Sequence, residues 1–106
     1  WGMGAKAGGA ASALGQALAD SETPVRVGAA MALDNMGPAA APAVAALAKA
    51  LRDPSLEVRQ WAARALGSIG PAAESAVPAL ERAARHDGVL ASAEESIHKI
   101  RARGTK

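Results

Sequence analysis

The fold is decided by a stretch that reads DPSLEVRQWAARALGSIGP and runs from Asp53 to Pro71. Asp53 is of a residue type that caps helices, and Pro54 suits the first helical position, so together they predict a helix start. The Gly-Pro pair at the other end predicts that the helix stops near residue 69. Between these signals, apolar residues recur at the spacing of one buried helical stripe. They are Val58, Ala62, Ala65, Leu66 and Ile69.

The same pattern recurs along the chain with a period of 33 residues. Aligning residues 17–49 with residues 50–82 gives 17 identities in 33 positions, among them Asp20 with Asp53 and Val25 with Val58. A third copy continues from Pro71, and its second half aligns best at a shift of 31 residues. The chain therefore divides into three repeats, at about residues 5–37, 38–70 and 71–103.

Gly-Pro marks the heads of the second and third repeats, and each repeat has an Asp-containing turn at its middle, which predicts two helices per repeat. In the middle repeat, the first helix is expected from about Ala39 to Leu51. One helix pair of this length cannot cover its own apolar face, so the copies must stack. The sequence predicts one all-α domain over residues 1–106, an α-solenoid of three helix pairs and six helices.

Composition agrees with helices and excludes several kinds of site. Of the 106 residues 30 are Ala, the best helix former, and there are few β-branched or aromatic residues to favour strands. The chain has no Cys, which excludes disulfides, thiolate metal sites and Cys nucleophiles. No apolar run approaches the roughly 20 residues of a membrane helix. The expectation is a soluble protein, with the cytoplasm as its expected location.

The quoted stretch, together with Pro71-Ala72-Ala73 and Ala76-Val77-Pro78-Ala79-Leu80, resembles bacterial HEAT repeats. The likeness covers nearly the whole chain and is greatest to the short HEAT-like repeats of the phycobilisome-lyase type. The resemblance implies a scaffold with a hydrogen-bonded ladder of turn Asp and second-helix Arg residues. The matching pairs are Asp20 with Arg26 and Asp53 with Arg59. The third repeat departs from the pattern, because Val89-Leu90 replaces Val-Arg.

The start of the chain leads to an expectation about association. Met3-Gly4 lies 33 residues before Met36-Gly37, as if it ended a preceding helix. Either a segment of a longer array or an ordinary short protein trimmed at its N-terminus would explain this. Uncapped solenoid ends associate, so self-association through the N-terminal edge is expected, with apolar contributions from Met3, Leu14, Leu18, Val25 and Met31.

A partner is expected on the concave face, which stacked repeats build from the second helices. The residues nominated here as contacts with a protein or peptide are those that point away from the buried stripe. Trp61 has a second interpretation, in which the indole belongs to the core and fills the space that Gly28 leaves one repeat earlier. The nominated residues are Val27, Met31, Gln60, Trp61, Arg64 and Glu95.

Two rival functions remain open at this point. The net charge of +2 depends on a basic tail, residues 99–106, and residues 1–98 are slightly acidic. Nucleic-acid binding would need Arg64, Lys99, Arg101 and Arg103 in one continuous strip. The second rival, an accessory subunit of a bilin lyase, comes from the resemblance alone.

Catalysis and metal binding are not expected. Glu94 and His98 lie one helical turn apart, and His86, Asp87 and Glu95 are near them in sequence. Two ligands from one helix make a weak site, whereas zinc needs three or four. We therefore expect no metal, no cofactor and no catalytic residue, and a protein that is not an enzyme.

Overall fold

The computed structural model describes residues 3–86 and 90–104, and these form helices joined by short turns, with no strand in those ranges. The predicted all-α fold is confirmed. The α-helices are α1 (Met3–Ala17), α2 (Thr23–Met36), α3 (Val44–Ala50), α4 (Leu56–Ile69), α5 (Val77–His86) and α6 (Leu90–Gly104). Two 3-10 helices, Gly37–Ala43 and Gly70–Ala76, precede α3 and α5.

The expected count of six continuous helices needs correction. In the described part of the chain, four helices extend over 14 or 15 residues, namely α1, α2, α4 and α6. The predicted helix from Ala39 to Leu51 is instead a 3-10 helix to Ala43 followed by the seven-residue α3. Pro38 and Pro42 lie within that 3-10 helix. An α-helix that began at Gly37 would be interrupted at Pro42, which lacks a backbone N–H and whose ring clashes with the preceding turn.

The prediction that Asp53 caps α4 is also wrong. The helix begins at Leu56 and its N-cap is Ser55, whose Oγ accepts a hydrogen bond from the Val58 N–H over 3.4 Å. Asp53 Oδ1 accepts from the Ser55 N–H over 2.9 Å, which makes Asp53 a turn residue. Pro54 therefore precedes the helix. At the other end, Gly70 stops α4 with a φ of 83° that only glycine adopts readily.

The helices stack in two layers, as the solenoid requires. The second helices α2, α4 and α6 lie side by side with α4 in the middle, and α3 and α5 pack beneath them with the 3-10 helices. Alanines allow close approach where helices meet, and a few larger side chains fill the core. The largest fully buried ones are Leu33, Leu47, Leu66, Ile69, Leu80, Ile100, Val58 and Val77. In the described ranges, no helix has the length and apolar character needed to cross a membrane.

Arg26 links the first two repeats through the turn aspartates. Its Nε and Nη2 donate to the Asp53 carboxylate over 2.8 and 3.3 Å, and its Nη1 donates to the backbone carbonyl of Asp20 over 2.8 Å. Arg59 likewise donates from Nη1 to the backbone carbonyl of Asp53 over 2.6 Å. The Asp20 carboxylate accepts from the Glu22 N–H.

This arrangement changes the expected pairing of the ladder. Within each repeat, Asp20 with Arg26 and Asp53 with Arg59 are joined through the backbone carbonyl of the aspartate. The contact between side chains crosses instead from one repeat to the next, Arg26 to Asp53. The ladder therefore fixes the stacking of two repeats as well as the turn within each of them.

Candidate functional site

The exposed face of the second helices carries a continuous polar surface, which we call the second-helix strip. It comprises Asp34 on α2, Trp61 and Arg64 on α4, and Ser92, Glu95 and Lys99 on α6. Residues three and four apart on a helix share one side, so each helix presents its members in the same direction. A cavity of about 270 Å³ lies between α4 and α6, lined by Arg64, Ser92, Glu95, Ser96 and Lys99. Two of the nominated residues, Arg64 and Glu95, line this cavity, and a third, Trp61, is another member of the strip.

Arg64 lies at the centre of the strip. Its side chain is 64% exposed, its Nε lies 3.5 Å from Asp34 Oδ2, and its guanidinium carbon lies 5.2 Å from the centroid of the Trp61 ring. A cation over an aromatic face at this distance is attracted by the ring quadrupole. The guanidinium is therefore held over the indole while most of it stays accessible to a partner.

Trp61 has features of both predicted roles. The side chain is half-buried and packs against the hydrophobic core, and its ring also supports Arg64. The expectation that it fills space beside Gly28 is wrong, because a Cβ placed on Gly28 would have no atom of its surroundings within 4 Å. The indole therefore contacts the hydrophobic core on one side and Arg64 of the strip on the other.

Charges of opposite sign alternate along the strip. Asp34 is nearly buried and accepts a hydrogen bond from Ser68 Oγ over 2.5 Å, which fixes its carboxylate beside Arg64. On α6, Lys99 Nζ lies 3.8 Å from Glu95 Oε2, one helical turn away. Exposed ion pairs of this kind contribute little to stability. Lys99 and Glu95 can therefore separate and each pair with a charged group of a ligand at a small cost in free energy.

The cavity depends on an unusually close approach of α4 and α6. Ser96 is buried and donates from Oγ to the backbone carbonyl of Ala63 over 2.5 Å. A Cβ at Gly67 would lie 2.6 Å from Ser96 Oγ and 3.0 Å from Ser96 Cα. Gly67, which helical periodicity places on the open face, therefore lies inside the interface between two repeats. Ser92 and Ser96 were not predicted from the sequence, although the change from Asp34 to Gly67 one repeat later indicates closer packing there.

The remaining nominated residues lie away from this cavity. Val27 on α2 is half-buried and packs against the core, so it offers less apolar surface than its position suggests. Met31 keeps 41% of its surface exposed, and Gln60 is half-buried on α4.

The continuous basic strip needed for nucleic-acid binding is not seen among the described side chains. Arg101 lies next to a carboxylate of α5 rather than beside Arg64. The side chain of Arg103 is not among those that the structure describes. Each of the other three cations has a carboxylate within 3.8 Å, which reduces the positive potential a phosphate backbone requires. The pairs are Arg64 with Asp34, Lys99 with Glu95, and Arg101 with Glu81.

No group of three or more histidine or acidic side chains in the described ranges could hold a metal ion. Asp87 and the side chain of His86 lie outside those ranges. The other possible ligands considered from the sequence are Glu94, Glu95 and His98, and their side chains are all exposed on α6.

Comparison with known proteins gives one match. A family model described as HEAT repeats matches residues 11–98. Neither the curated proteins nor the solved structures gave a match to this chain.

Proposed function

This chain belongs to the HEAT-repeat family, and we propose that it is a non-enzymatic scaffold that binds a protein or peptide segment on the second-helix strip. HEAT repeats are commonly scaffolds for protein interactions. The observation that carries the proposal is the open cavity beside Arg64, where an accessible guanidinium stacked on Trp61 faces Glu95 and Lys99. These groups offer positive, negative and aromatic contacts within one short stretch of surface.

The strip suits a peptide better than a small substrate. Arginine and tryptophan are enriched in the residues that dominate binding energy at protein interfaces. The alternating charges fit a segment with acidic and basic side chains a few residues apart, because each pair on the strip can be replaced by a pair with the ligand. Ser96 Oγ is already committed to the Ala63 carbonyl, and His98 does not line the cavity. This arrangement supports binding rather than acyl-transfer chemistry.

We expect peptides selected from a displayed random library against the whole chain to depend on Arg64. Arg64→Glu reverses the central charge and removes the guanidinium from Trp61, so affinity should fall at least about tenfold. Fluorescence anisotropy with the labelled peptide measures this.

Lys49→Glu is the matched control for that experiment. Lys49 is also an exposed cation, but it lies on α3 in the other layer. Its substitution should leave peptide affinity within about twofold, since a distant surface charge contributes little. Peptides that lose affinity through Lys49→Glu and keep it with Arg64→Glu would contradict the proposal.

At the N-terminal edge of the solenoid, the apolar stripe of α2 supports self-association as a second property of the scaffold. In α4 the stripe Val58, Ala62, Ala65 and Ile69 is at most 1% exposed, since α2 packs beside α4. Val25, the counterpart of Val58 one repeat earlier, is 43% exposed. Ala32 and Met36 of the same α2 stripe are half-buried. This stripe therefore offers apolar surface that a second copy can cover.

We expect the light-scattering mass of the chain to rise above 10.5 kDa as its concentration increases. Val25→Lys should keep the chain monomeric, because it would bury a charge in the contact. Leu56→Lys changes a side chain of similar exposure, 42%, on α4, and should not affect association. A strictly monomeric mass at millimolar concentration would show that the edge is not a contact surface.

A further inference from the structure

A second cavity lies in the layer of first helices and shares no residue with the second-helix strip. It occupies about 630 Å³ between the end of α3, the following turn and α5. Leu51 and Ala83, both buried, form part of its apolar floor, and Arg52, Arg59 and Arg82 supply its positive charge. We call it the arginine cleft.

The cations of the cleft are not balanced by the acid that lines it. Among the lining residues that the structure describes, the one carboxylate is that of Asp53, and its two oxygens already accept from Arg26 and from the Ser55 N–H. Arg59 is fixed in the wall by its hydrogen bonds to the carbonyls of Asp53 and Pro54. Among the described lining residues, three arginines therefore stand against one carboxylate.

Arg52 and Arg82 are the accessible cations. Both side chains are exposed at the rim, and in the described part of the chain neither takes part in a hydrogen bond or an ion pair. Lys99 and Arg101, by contrast, each have a carboxylate within 3.8 Å. Guanidinium groups without a partner bind carboxylates through two parallel hydrogen bonds, so the rim offers two such positions.

We propose that the arginine cleft binds an acidic peptide segment in which two carboxylate side chains flank an apolar one. The carboxylates pair with Arg52 and Arg82, and the apolar side chain rests on the floor formed by Leu51, Ala79 and Ala83. The volume lies within the usual range of ligand pockets, roughly 300–1,000 Å³. A nucleic acid would instead require several cations spread over one face to follow its phosphates, and an apolar floor contributes nothing to that contact.

The test is an NMR titration of the whole chain with a capped peptide of sequence Glu-Leu-Glu-Leu-Glu at low salt. Backbone shifts are expected at Leu51, Arg52, Arg82 and Ala83. Arg52→Gln with Arg82→Gln should weaken binding about tenfold or more. Both side chains are exposed, so circular dichroism should be unchanged. Lys99→Gln removes an exposed cation on α6, in the other layer, that does not line the cleft and should leave binding within about twofold.

Three results would overturn the proposal. One is the absence of shifts in the cleft, and another is equal binding of Lys-Leu-Lys-Leu-Lys. The third is binding of inorganic phosphate or duplex DNA that depends on Arg52 and Arg82 when the acidic peptide does not bind. Arg64→Glu separates this site from the second-helix strip, because that variant should bind the acidic peptide normally.

Discussion

The Asp53→Ala variant should lose about 3 kcal/mol of unfolding free energy, since breaking a largely buried ion pair costs about 3–5 kcal/mol and the chain can relax around this one. The side chains of Arg26 and Asp53 are only 13% and 8% exposed. Removal of the carboxylate leaves the guanidinium without its acidic partner. It also removes the acceptor of the Ser55 N–H in the turn before α4.

Asp20→Ala is the matched control, because Asp20 occupies the same position one repeat earlier. Its exposed carboxylate accepts a hydrogen bond from the Glu22 N–H over 2.8 Å, and Arg26 contacts its backbone carbonyl, which the substitution retains. A loss of about 0.5–1 kcal/mol is expected, as for one exposed turn hydrogen bond. Urea denaturation of both variants measures the difference. Equal losses for Asp53→Ala and Asp20→Ala would show that the link between repeats adds nothing.

Gly67→Ala should destabilise the chain by about 1–3 kcal/mol, the usual cost of overpacking a tight interface. Rotation of Ser96 could move its Oγ away from the new methyl group, but this would break the hydrogen bond to the Ala63 carbonyl. The new methyl would still lie 2.9 Å from Ser96 Cβ and 3.0 Å from Ser96 Cα. Helices α4 and α6 would therefore have to separate.

Gly28→Ala makes the same change at an open position of α2 and should have the opposite sign. No atom of its surroundings lies within 4 Å of the added Cβ. Alanine should therefore stabilise α2 by about 0.5–1 kcal/mol through its higher helix propensity. Thermal melts of the two variants give the comparison. A stabilised Gly67→Ala variant would mean that the two helices do not approach as closely as described.

The helical solenoid could be predicted from sequence because its signals are local and repeated. The apolar spacing from Val58 to Ile69 and the Gly-Pro pairs each recur at a fixed period. The 3-10 helices before α3 and α5 could not be placed in the same way, because a proline in the first turn of a helix is compatible with either kind of helical turn.

The register of the ladder required the structure. Asp20 and Asp53 precede their own arginines by the same six residues, so spacing favours pairs within each repeat. Arg26 nevertheless binds the carboxylate of Asp53 in the next repeat. This contact depends on how far one repeat is displaced relative to the next, which the sequence of a single repeat does not determine.

The candidate site was predicted only in part, for a related reason. The 100° step per residue of a helix distinguishes the positions of the buried stripe from the other positions. It does not show whether those other positions face solvent or a neighbouring repeat. Arg64 and Glu95 were identified because both side chains lie off the buried stripe and are exposed. The periodicity of α4 places Gly67 on the same face as Arg64, because it carries no information about the packing of α6.

Chemical-shift mapping with a library-selected peptide tests the central claim, that the second-helix strip is the binding surface of this scaffold. The Trp61 indole N–H signal is a direct probe, because its ring lies beneath Arg64. Shifts are expected at Trp61, Arg64, Ser92, Glu95 and Lys99. Shifts confined to α3 and α5, with the indole signal of Trp61 unmoved at saturation, would contradict it.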